Sequence, residues 1–496
     1  MGDHVRTIDV IGRDLALAGL GAVGVWFGSR AADKMLLRRS NRSLPAGRHI
    51  VILGGGFAGV GVARELARLL PDAGNAQITL IDQNDFMVFT PMLTEAAGGE
   101  IDTRHIVHSL RTLSPRIQFV QGKVMAIDLE QKLIHLTQGN GVDGLPDTTS
   151  MQPFGYLVVA LGSESNDHGI TGIREHSIGM KTLRDAAMVR NRAIALLERA
   201  GAEVDLEKRR ALLTIVVGGG GYTGVEAMAA INDLVRSSVS VFPTIKSREI
   251  RTILVEPGNQ LLPEINATGL AAYAQKMLEQ RHVEVRLKAE IVGAGEDYVE
   301  LKGGERLSTH LLIWAGGVRP SALLESLDAP RGEHGGLVVD ATCAVSGRPG
   351  VWALGDCAEI PDPRSKTGYA PTAQNAMREG VHVARNIVAT LRGKAPQPFV
   401  YTPIGELALV GRRSGVAKVY GIQFTGLLAW AMWRMIYWAK IPQSSQRVRV
   451  LLDWTLDLIF GRNTVDLPFE EMPVHTRILP KAAPETRSVP GSKPAA

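Results

Sequence analysis

The sequence predicts an α/β fold of two parallel-sheet units followed by a pair of C-terminal amphipathic helices. Three observations lead there. A strand, glycine turn and helix, HIVILGGGFAGVGVARELARLL from His49, recurs as TIVVGGGGYTGVEAMAAINDL from Thr214. Each is followed by an apolar strand that ends on an acid, ITLID at Asp82 and TILVE at Glu256. Each copy closes with a further apolar strand and a turn of small residues, YLVVALGS (Tyr156 to Ser163) and HLLIWAGG (His310 to Gly317). Two copies of one βαβ plan mean two Rossmann-like halves of the mononucleotide-binding kind, each with its own parallel sheet.

In chain order, residues 1–47 are an extension whose apolar run, Leu15 to Gly28, is bounded by Asp14 and Arg30. These 14 residues reach about 21 Å as a helix, short of the roughly 30 Å hydrocarbon core, which argues against a transmembrane span. Asp3, Asp9 and Asp14 spoil the basic start of an export signal, and Arg6 stands where a myristoylation site wants Ser or Thr. Residues 48–165 form the first part of unit one. Within it IQFVQGKVMAIDLEQKLIHL reads as a hairpin or meander, and TQGNGVDGLPDTTS as a polar loop. Residues 166–337 form unit two, where VEVRLKAEIVGAGEDYVELKGG repeats the strand pairs. Residues 338–395 return to unit one, with a strand in VWALGD and a helix from about Thr372 to Leu391. GKAPQPF is a linker, 396–479 a C-terminal module, and 480–496 a Pro/Ala/Lys tail expected to be disordered.

Composition supports a globular chain: 496 residues, 45% hydrophobic and 21% charged, are enough for two or three cores. Two cysteines, Cys343 and Cys357, are too few for a disulfide framework or a zinc site, and no metal is expected. The net charge of +5 is unevenly spread: residues 1–50 carry +4, residues 401–496 carry +5, and the body between them −4. An acidic body with basic ends excludes a nucleic-acid enzyme, which needs its positive charge around its site, and favours ends that meet an anionic surface.

In the first copy Gly54-x-Gly56-x-x-Gly59, with Phe57 and Ala58 inside it, sits between strand and helix. The turn is tight, backbone comes close to a pyrophosphate, and the helix N-terminus faces that charge. Asp82, 23 residues after Gly59, stands where a carboxylate accepts hydrogen bonds from ribose hydroxyls. The second copy has Gly219-x-Gly221-x-x-Gly224, with Tyr222 and Thr223 inside it, and Glu256 as the ribose acid 32 residues on. That carboxylate repels a ribose 2′-phosphate, and the following PGNQ supplies no arginine to bind one, so NADH is favoured over NADPH. Two dinucleotide sites in one chain suit one tightly held cofactor and one that exchanges, since electrons from a hydride donor need an acceptor.

With these motifs the chain resembles the two-dinucleotide-binding-domain flavoproteins, and within them the type II, or alternative, NADH:quinone oxidoreductases. The resemblance runs from about His49 to Gly461 through GGGFAG, FTPML with RHIVHSLR, YLVVALGS, KTLRDA, GYTGVE, LIWAGG, WALGDCAEIP and APTAQNAM. It implies non-covalent FAD in the first unit and NADH as substrate in the second. It also implies that Asp356, after Gly355, hydrogen-bonds the FAD ribitol, that Val124, Ala160 and Gly162 line the same cofactor, and that the helix starting at Ala373 points at the flavin pyrimidine. Ala315, Gly316 and Gly317 would let the nicotinamide approach closely. Glu226 would lie near nicotinamide and flavin; a first-turn glutamate favoured by the helix dipole is the structural alternative.

The family's quinone signature, AQxAxQ, reads here Ala373-Gln374-Asn375-Ala376-Met377-Arg378. Gln374 keeps the hydrogen bond for a quinone carbonyl. Arg378 replaces the second glutamine, and either stabilises a developing quinol anion or pairs with Glu226 or Glu379. Disulfide reductases need a CxxxxC after the first glycine motif, and sulfide:quinone reductases need redox cysteines around the flavin. No cysteine precedes Cys343, and Cys357 reads as a small buried residue. The implied reaction passes hydride from NADH to flavin and two electrons on to quinone, without proton pumping. Two alternatives stand beside it: a flavin reductase serving a soluble electron-carrier protein, and a redox-sensing flavoprotein.

The last module completes the picture. Gly426 to Lys440 spans 15 residues, about 22 Å of helix with Arg434 inside it, too short and too polar to cross a bilayer. The following Arg447 to Arg462 places Val448, Leu451, Leu452, Leu458 and Ile459 on one face and Arg449, Asp453 and Asp457 on another. Trp430, Trp433, Tyr437, Trp438 and Trp454 suit a headgroup boundary. The expectation is peripheral docking on the cytoplasmic face of the cell membrane, with a buried hairpin or a homodimer interface as the alternative.

Overall fold

A computed structural model of the chain describes residues 49–70, 76–139, 146–265, 267–364, 368–403, 405–460, 462 and 464–465. The expectations for Leu15 to Gly28 and for the 480–496 tail lie outside these residues.

The expected α/β architecture is present. Strand His49–Leu53 is buried along its whole length, as is Thr214–Gly218. Unbroken burial of this kind belongs to central parallel strands covered on both faces, and it explains why neither sequence alternates. In the first sheet the order is Val351–Ala353, Tyr156–Val159, His49–Leu53, Gln77–Asp82, Ile117–Gln121, all parallel. In the second it is Ser177–Gly179, Leu311–Trp314, Thr214–Gly218, Arg251–Glu256, Val283–Leu287, again all parallel. In each sheet the outer strand beside the closing one comes from chain outside that βαβ copy. Ser163–Ser165 and Val318–Pro320, leaving the two closing strands, pair antiparallel and tie the units together.

Six helices position the site. Helix α1 (Phe57–Leu69) follows the first glycine turn, α2 (Leu93–Ala97) lies in the FTPML segment, and α3 (Tyr222–Ser238) follows the second turn. Helix α4 (Ala373–Leu391) is capped by the Thr372 hydroxyl, which accepts from the Asn375 amide. It packs on α1 backbone to backbone: a Cβ on Gly380 would stand 2.6 Å from the Ala58 carbonyl oxygen. The C-terminal helices are α5 (Gly426–Lys440) and α6 (Ser444–Phe460).

Two local readings change. Ile117–Gln121 is no hairpin arm but the fifth parallel strand of the first sheet. Thr148–Pro153, read as part of a polar loop, is a strand paired residue by residue with Leu133–Gln138, forming an antiparallel sheet with Lys123–Asp128. Two β-branched threonines and a ready edge outweigh the polar composition there.

The C-terminal module also holds a three-stranded antiparallel sheet, Gly405–Leu409, Gly415–Val419 and Ile422–Thr425, ahead of its helices. The helices are partly inverted relative to an ordinary surface helix. Trp433 (1% exposed), Arg434 (6%) and Trp454 (6%) face the protein, together with Val450 and Asp457. Leu428, Met435, Val448, Leu451, Leu452, Ile459 (66%) and Phe460 (80%) face away from it. The headgroup-boundary reading of Trp433 and Trp454 is therefore corrected: both belong to the core that also contains Val225 of α3 and Leu409. Burying each such ring contributes about 1.5–3 kcal/mol. Among the described residues no helix is long and apolar enough to cross a membrane.

Candidate active site

Both glycine turns have the shape their spacing predicts. Gly54 and Gly219 take φ +102° and +108°, and a Cβ on either would enter the carbonyl oxygen of Ala160 or Ala315. A Cβ on Gly59 would stand 1.9 Å from the Gly54 oxygen, and one on Gly224 1.8 Å from the Gly219 oxygen. Helices α1 and α3 begin at Gly56 and Gly221 without a side-chain cap, so their first N–H groups are free for an anion. Space above Gly56 is open, and the donor set fits a pyrophosphate. The acids that end the second strand of each copy are fixed alike. Asp82 accepts from the amides of Gly55 (2.6 Å) and Asn84 (2.7 Å), and Glu256 from those of Gly220 and Gly258, both 2.6 Å. Burial raises the Asp82 carboxyl above its ordinary value.

The second turn has an occupant the sequence reading missed. Glu264 lies so close to Gly221 that a Cβ there would be 2.7 Å from its Oε1. Burial, with Glu256 nearby, raises the Glu264 carboxyl above its ordinary value. An acid beside a helix N-terminus competes with a nucleotide phosphate for the same dipole. The Tyr222 hydroxyl, at the start of α3, is buried without a hydrogen-bond partner among the described residues.

Between the units, Asp356 is held from two sides. Ser163 Oγ donates to its Oδ2 (2.5 Å), and Lys181 Nζ donates to Ser163 (2.7 Å) and to Asp356 (3.1 Å). Lys181 comes from KTLRDA, a motif the sequence reading used without assigning it a role. The Gly355 amide, at φ +72°, donates to Glu379 of α4, whose carboxyl is pushed up to about 7, mainly by burial. Gly162, at φ +68°, and Gly317, at φ +118°, leave the space beside them open: a Cβ on Gly162 would meet nothing within 4 Å, and one on Gly317 only His168 Nε2 at 3.7 Å. Ala160 is buried behind Gly54, and Val124 packs half-buried against the first core.

Glu226, one turn into α3, meets the C-terminal module. It accepts from the Leu409 amide (3.0 Å) and from Trp433 Nε1 (3.1 Å), and it also bonds the Thr94 side chain. Withdrawal from water pushes its carboxyl up to about 8. A row of rings links this point to the first glycine turn: Phe57 to Phe89 at 5.6 Å, Phe89 to Tyr437 at 6.3 Å, and Tyr437 to Trp433 at 4.6 Å. Burial holds the Tyr437 phenol neutral, raised beyond its ordinary range.

Gln374 and Arg378 share a partner, Tyr401, which sequence reasoning did not find. Gln374 Nε2 donates to the Tyr401 hydroxyl at 2.6 Å, and the Arg378 guanidinium lies 5.5 Å over its ring. Arg378 is exposed and forms no ion pair among the described residues, so the pairing with Glu226 or Glu379 is corrected: the first is engaged by Leu409 and Trp433, the second by Gly355. Lys440 of α5 sits 5.6 Å over Tyr437, and its ammonium is lowered by burial and then by Arg378. An aromatic residue just after the Pro-containing linker was the signal available for Tyr401, though spacing alone ties it to nothing.

The pyridine nucleotide-disulphide oxidoreductase family model matches residues 48–380, and the NDH2 C-terminal domain model matches 404–463. The chain is 30% identical over 434 residues to the type II NADH:quinone oxidoreductase Ndh of Mycobacterium tuberculosis, covering 84% of this chain and 90% of that one. The chain belongs to the type II NADH:quinone oxidoreductase family. A probable NADH dehydrogenase of Dictyostelium discoideum is 28% identical over 460 residues, 91% of this chain and 98% of its own. The solved structure of NDH2 from Plasmodium falciparum in complex with NADH has the same fold, with a TM-score of 0.77, 20% identity, and coverage of 84% of this chain and 100% of that one.

Within this type II oxidoreductase, thiol chemistry has no basis. Cys357 is buried, donates to the carbonyls of Val159 and Leu354, and is pushed up to about 11 by burial. Cys343 is buried and raised for the same reason. A thiol held protonated is a weak nucleophile.

Proposed function

We propose that this chain is a membrane-associated NADH:quinone oxidoreductase that carries FAD, takes hydride from NADH and delivers two electrons to a membrane quinone without pumping protons. The observation that carries the reading is convergence. Residues of the first glycine turn, the second glycine turn and the C-terminal module meet within one row of aromatic contacts ending on Glu226. Bound FAD would supply the redox chemistry, accepting hydride on one side and giving up electrons on the other.

The chain's own residues provide the alignment. Gly54, Gly56, Phe57, Ala58 and Gly59, with the α1 N-terminus, hold one pyrophosphate, and Asp82 holds the adenosine ribose. Asp356, fixed by Ser163 and Lys181, orients the ribitol. Gly219, Gly221, Tyr222, Thr223 and Gly224 with Glu256 take NADH, and Ala315, Gly316 and Gly317 leave room for the nicotinamide. Gln374 turns from Tyr401 to a quinone carbonyl, and Arg378 stands ready to stabilise negative charge developing on the reduced ring. Glu226, protonated near neutral pH, is the nearby proton donor. The outward apolar residues of α5 and α6 rest in the membrane surface on the NADH-accessible, cytoplasmic side, where the hydrophobic acceptor dissolves. A homodimer through the same face is compatible with docking only if part of the face stays free.

The test is stopped-flow mixing of the purified holoenzyme with NADH, then with a panel of benzo- and naphthoquinones. Flavin bleaching by NADH followed by quinone reoxidation faster than by oxygen is expected. Reoxidation only by a ferredoxin-like carrier overturns the acceptor assignment. Arg378→Gln separates its role: altered quinone kinetics place Arg378 at the acceptor, and wild-type kinetics make it structural.

A further inference from the structure

A group of acids lies buried where α2, α3, α5 and α6 meet, and the reaction above does not use most of it. Glu95 is 1% exposed and Glu100 8%. Arg434 Nη2 donates to Glu95 Oε1 at 2.9 Å and to Glu100 Oε2 at 2.6 Å. Arg462 donates to the other oxygen of Glu100 and to the Ala230 carbonyl, and stands 3.9 Å from Asp457 Oδ1. Arg412, more exposed, reaches Asp457 Oδ2 at 3.8 Å, and Asp233 is held by Arg281 at 3.0 Å with Arg462 4.0 Å away. Three carboxyl groups, Glu95, Glu100 and Asp457, thus face two buried guanidinium groups, those of Arg434 and Arg462, while Glu226 nearby has no arginine partner among the described residues. An interior of this kind holds protons rather than unmatched charge.

The structure shows where such a proton would sit. Glu95 Oε2 is buried and has no hydrogen-bond partner among the described residues. Thr94, Glu95, Glu100, Glu226 and Leu409 line a cavity of about 10 Å³, the room of one water molecule. The Thr94 side chain bonds Glu226 from the same wall. An orphaned carboxyl oxygen beside a polar, water-sized space is satisfied when it carries hydrogen and donates to that water.

We propose that Glu95 is the proton-carrying partner of Glu226, linked to it through Thr94 and the cavity water, and that it replaces the proton Glu226 gives to the forming quinol. The inference rests on the quinone reading above. In balance, NADH, one proton and a quinone give NAD⁺ and a quinol. The hydride brings both electrons and one hydrogen, so the second O–H bond of the quinol takes a proton from solvent. Glu226 loses its O–H proton to the quinol oxygen, Glu95 passes its own to Glu226 through the water, and solvent restores Glu95. Burial, which pushes both carboxyl groups up to about 8, keeps the store filled at neutral pH. Glu95 is thus a positioning and relay residue, one step removed from the reacting atoms.

Two measurements on the holoenzyme test this. Infrared difference spectra titrated from acid to alkaline pH should show a protonated-carboxyl band that disappears around pH 8, reduced in Glu95→Gln and again in Glu226→Gln. Reoxidation of the NADH-reduced enzyme by a short-chain benzoquinone should slow about tenfold in Glu95→Gln, with a shallower decline above pH 8 than in wild type because only Glu226 still titrates there, and several-fold in Thr94→Val. Thr94→Val leaves every ion pair in place and decides the matter if Glu95→Gln does not fold. Wild-type rates and pH profile in these variants, or an infrared band unchanged by Glu95→Gln, overturn the relay. Should no quinone reoxidise the wild type, the functional reading fails, and the band alone still tells whether Glu95 holds the proton.

Discussion

Replacing Arg434 by Met tests the inward-facing C-terminal helix most directly. The guanidinium donates to Glu95 and Glu100, and lies between the rings of Trp430 and Trp454 at 4.4 and 4.6 Å. Met fills most of the same volume, so little packing is lost while the charge disappears. Glu95 then has no guanidinium partner among the described residues, and Glu100 and Asp457 share Arg462 alone among the buried cations. Breaking a buried pair by removing one partner costs about 3–5 kcal/mol, because the other charge stays behind. With an unfolding entropy of about 2.1 cal/mol/K per residue, a chain this long loses about 1 °C per kcal/mol, so the midpoint should fall by about 3–5 °C. The assay is release of flavin fluorescence on heating. The loss should depend on pH in a definite direction. Folded Glu95 keeps its proton up to about pH 8, whereas the unfolded group loses it near 4.5. Stability therefore declines as pH rises through that window, and without Arg434 the decline should continue to higher pH. Glu95→Gln in the Arg434→Met background should recover part of the loss. A melting point for Arg434→Met within about 1 °C of wild type at pH 8 would refute the reasoning, since it would leave the guanidinium in water, as for an ordinary in-plane helix.

Other perturbations separate the two nucleotide sites and the outward face. Gly59→Ala should yield protein with at least about tenfold less bound flavin, whereas Gly224→Ala should keep the flavin and raise the KM for NADH by at least about tenfold, because each Cβ collides with a fixed carbonyl. Glu264→Gln should lower the KM for NADH about fivefold, since one charge about 4 Å from a phosphate is worth about 1 kcal/mol in water. An unchanged KM would mean Glu264 swings clear at no cost. Leu452→Ser with Ile459→Ser should weaken co-sedimentation with anionic vesicles at least about 100-fold, at about 1.5–3 kcal/mol for each side chain, while NADH-to-dye activity in detergent persists. Undiminished vesicle binding would place the docking surface elsewhere.

The glycine turns and their acids were legible because their constraints are local. A positive φ at Gly54, a missing side chain at Gly59 and an acid ending the next strand all lie within a few dozen residues. Burial of the C-terminal helices was not legible for the opposite reason. The period of α6 separates Val448, Leu451 and Ile459 from Asp453 and Asp457, but it cannot say which side meets protein. That depends on partners far away in the chain: His105 Nδ1 at 2.5 Å from Asp453, and Arg434 bound to Glu95 and Glu100. A polar face satisfied by distant groups looks, in one dimension, the same as one meant for water. The short sheet from Gly405 to Thr425 escaped notice because its strands are only four or five residues long and GELAL has no β-branched residue. Tyr401 was missed because its partners Gln374 and Arg378 lie a helix and a linker upstream.

The arrangement of the first sheet also bears on how the chain is made. Val351–Ala353 pairs with Tyr156–Val159, and the α4 helix packs on α1, yet all of unit two is translated between these segments. At about 5–20 residues per second, the ribosome leaves the edge at Tyr156–Val159 unpaired for about 10–40 s. During that interval unit two can close its own sheet, since Ser177–Gly179 has already emerged. The half that holds Asp82 therefore matures after the half that holds Glu256, although its sequence comes first. On the proposed cofactor assignment flavin is captured only once Asp356 and α4 have arrived, so a ribosome stalled anywhere between Val159 and Val351 would expose an open parallel edge to chaperones rather than a half-built enzyme.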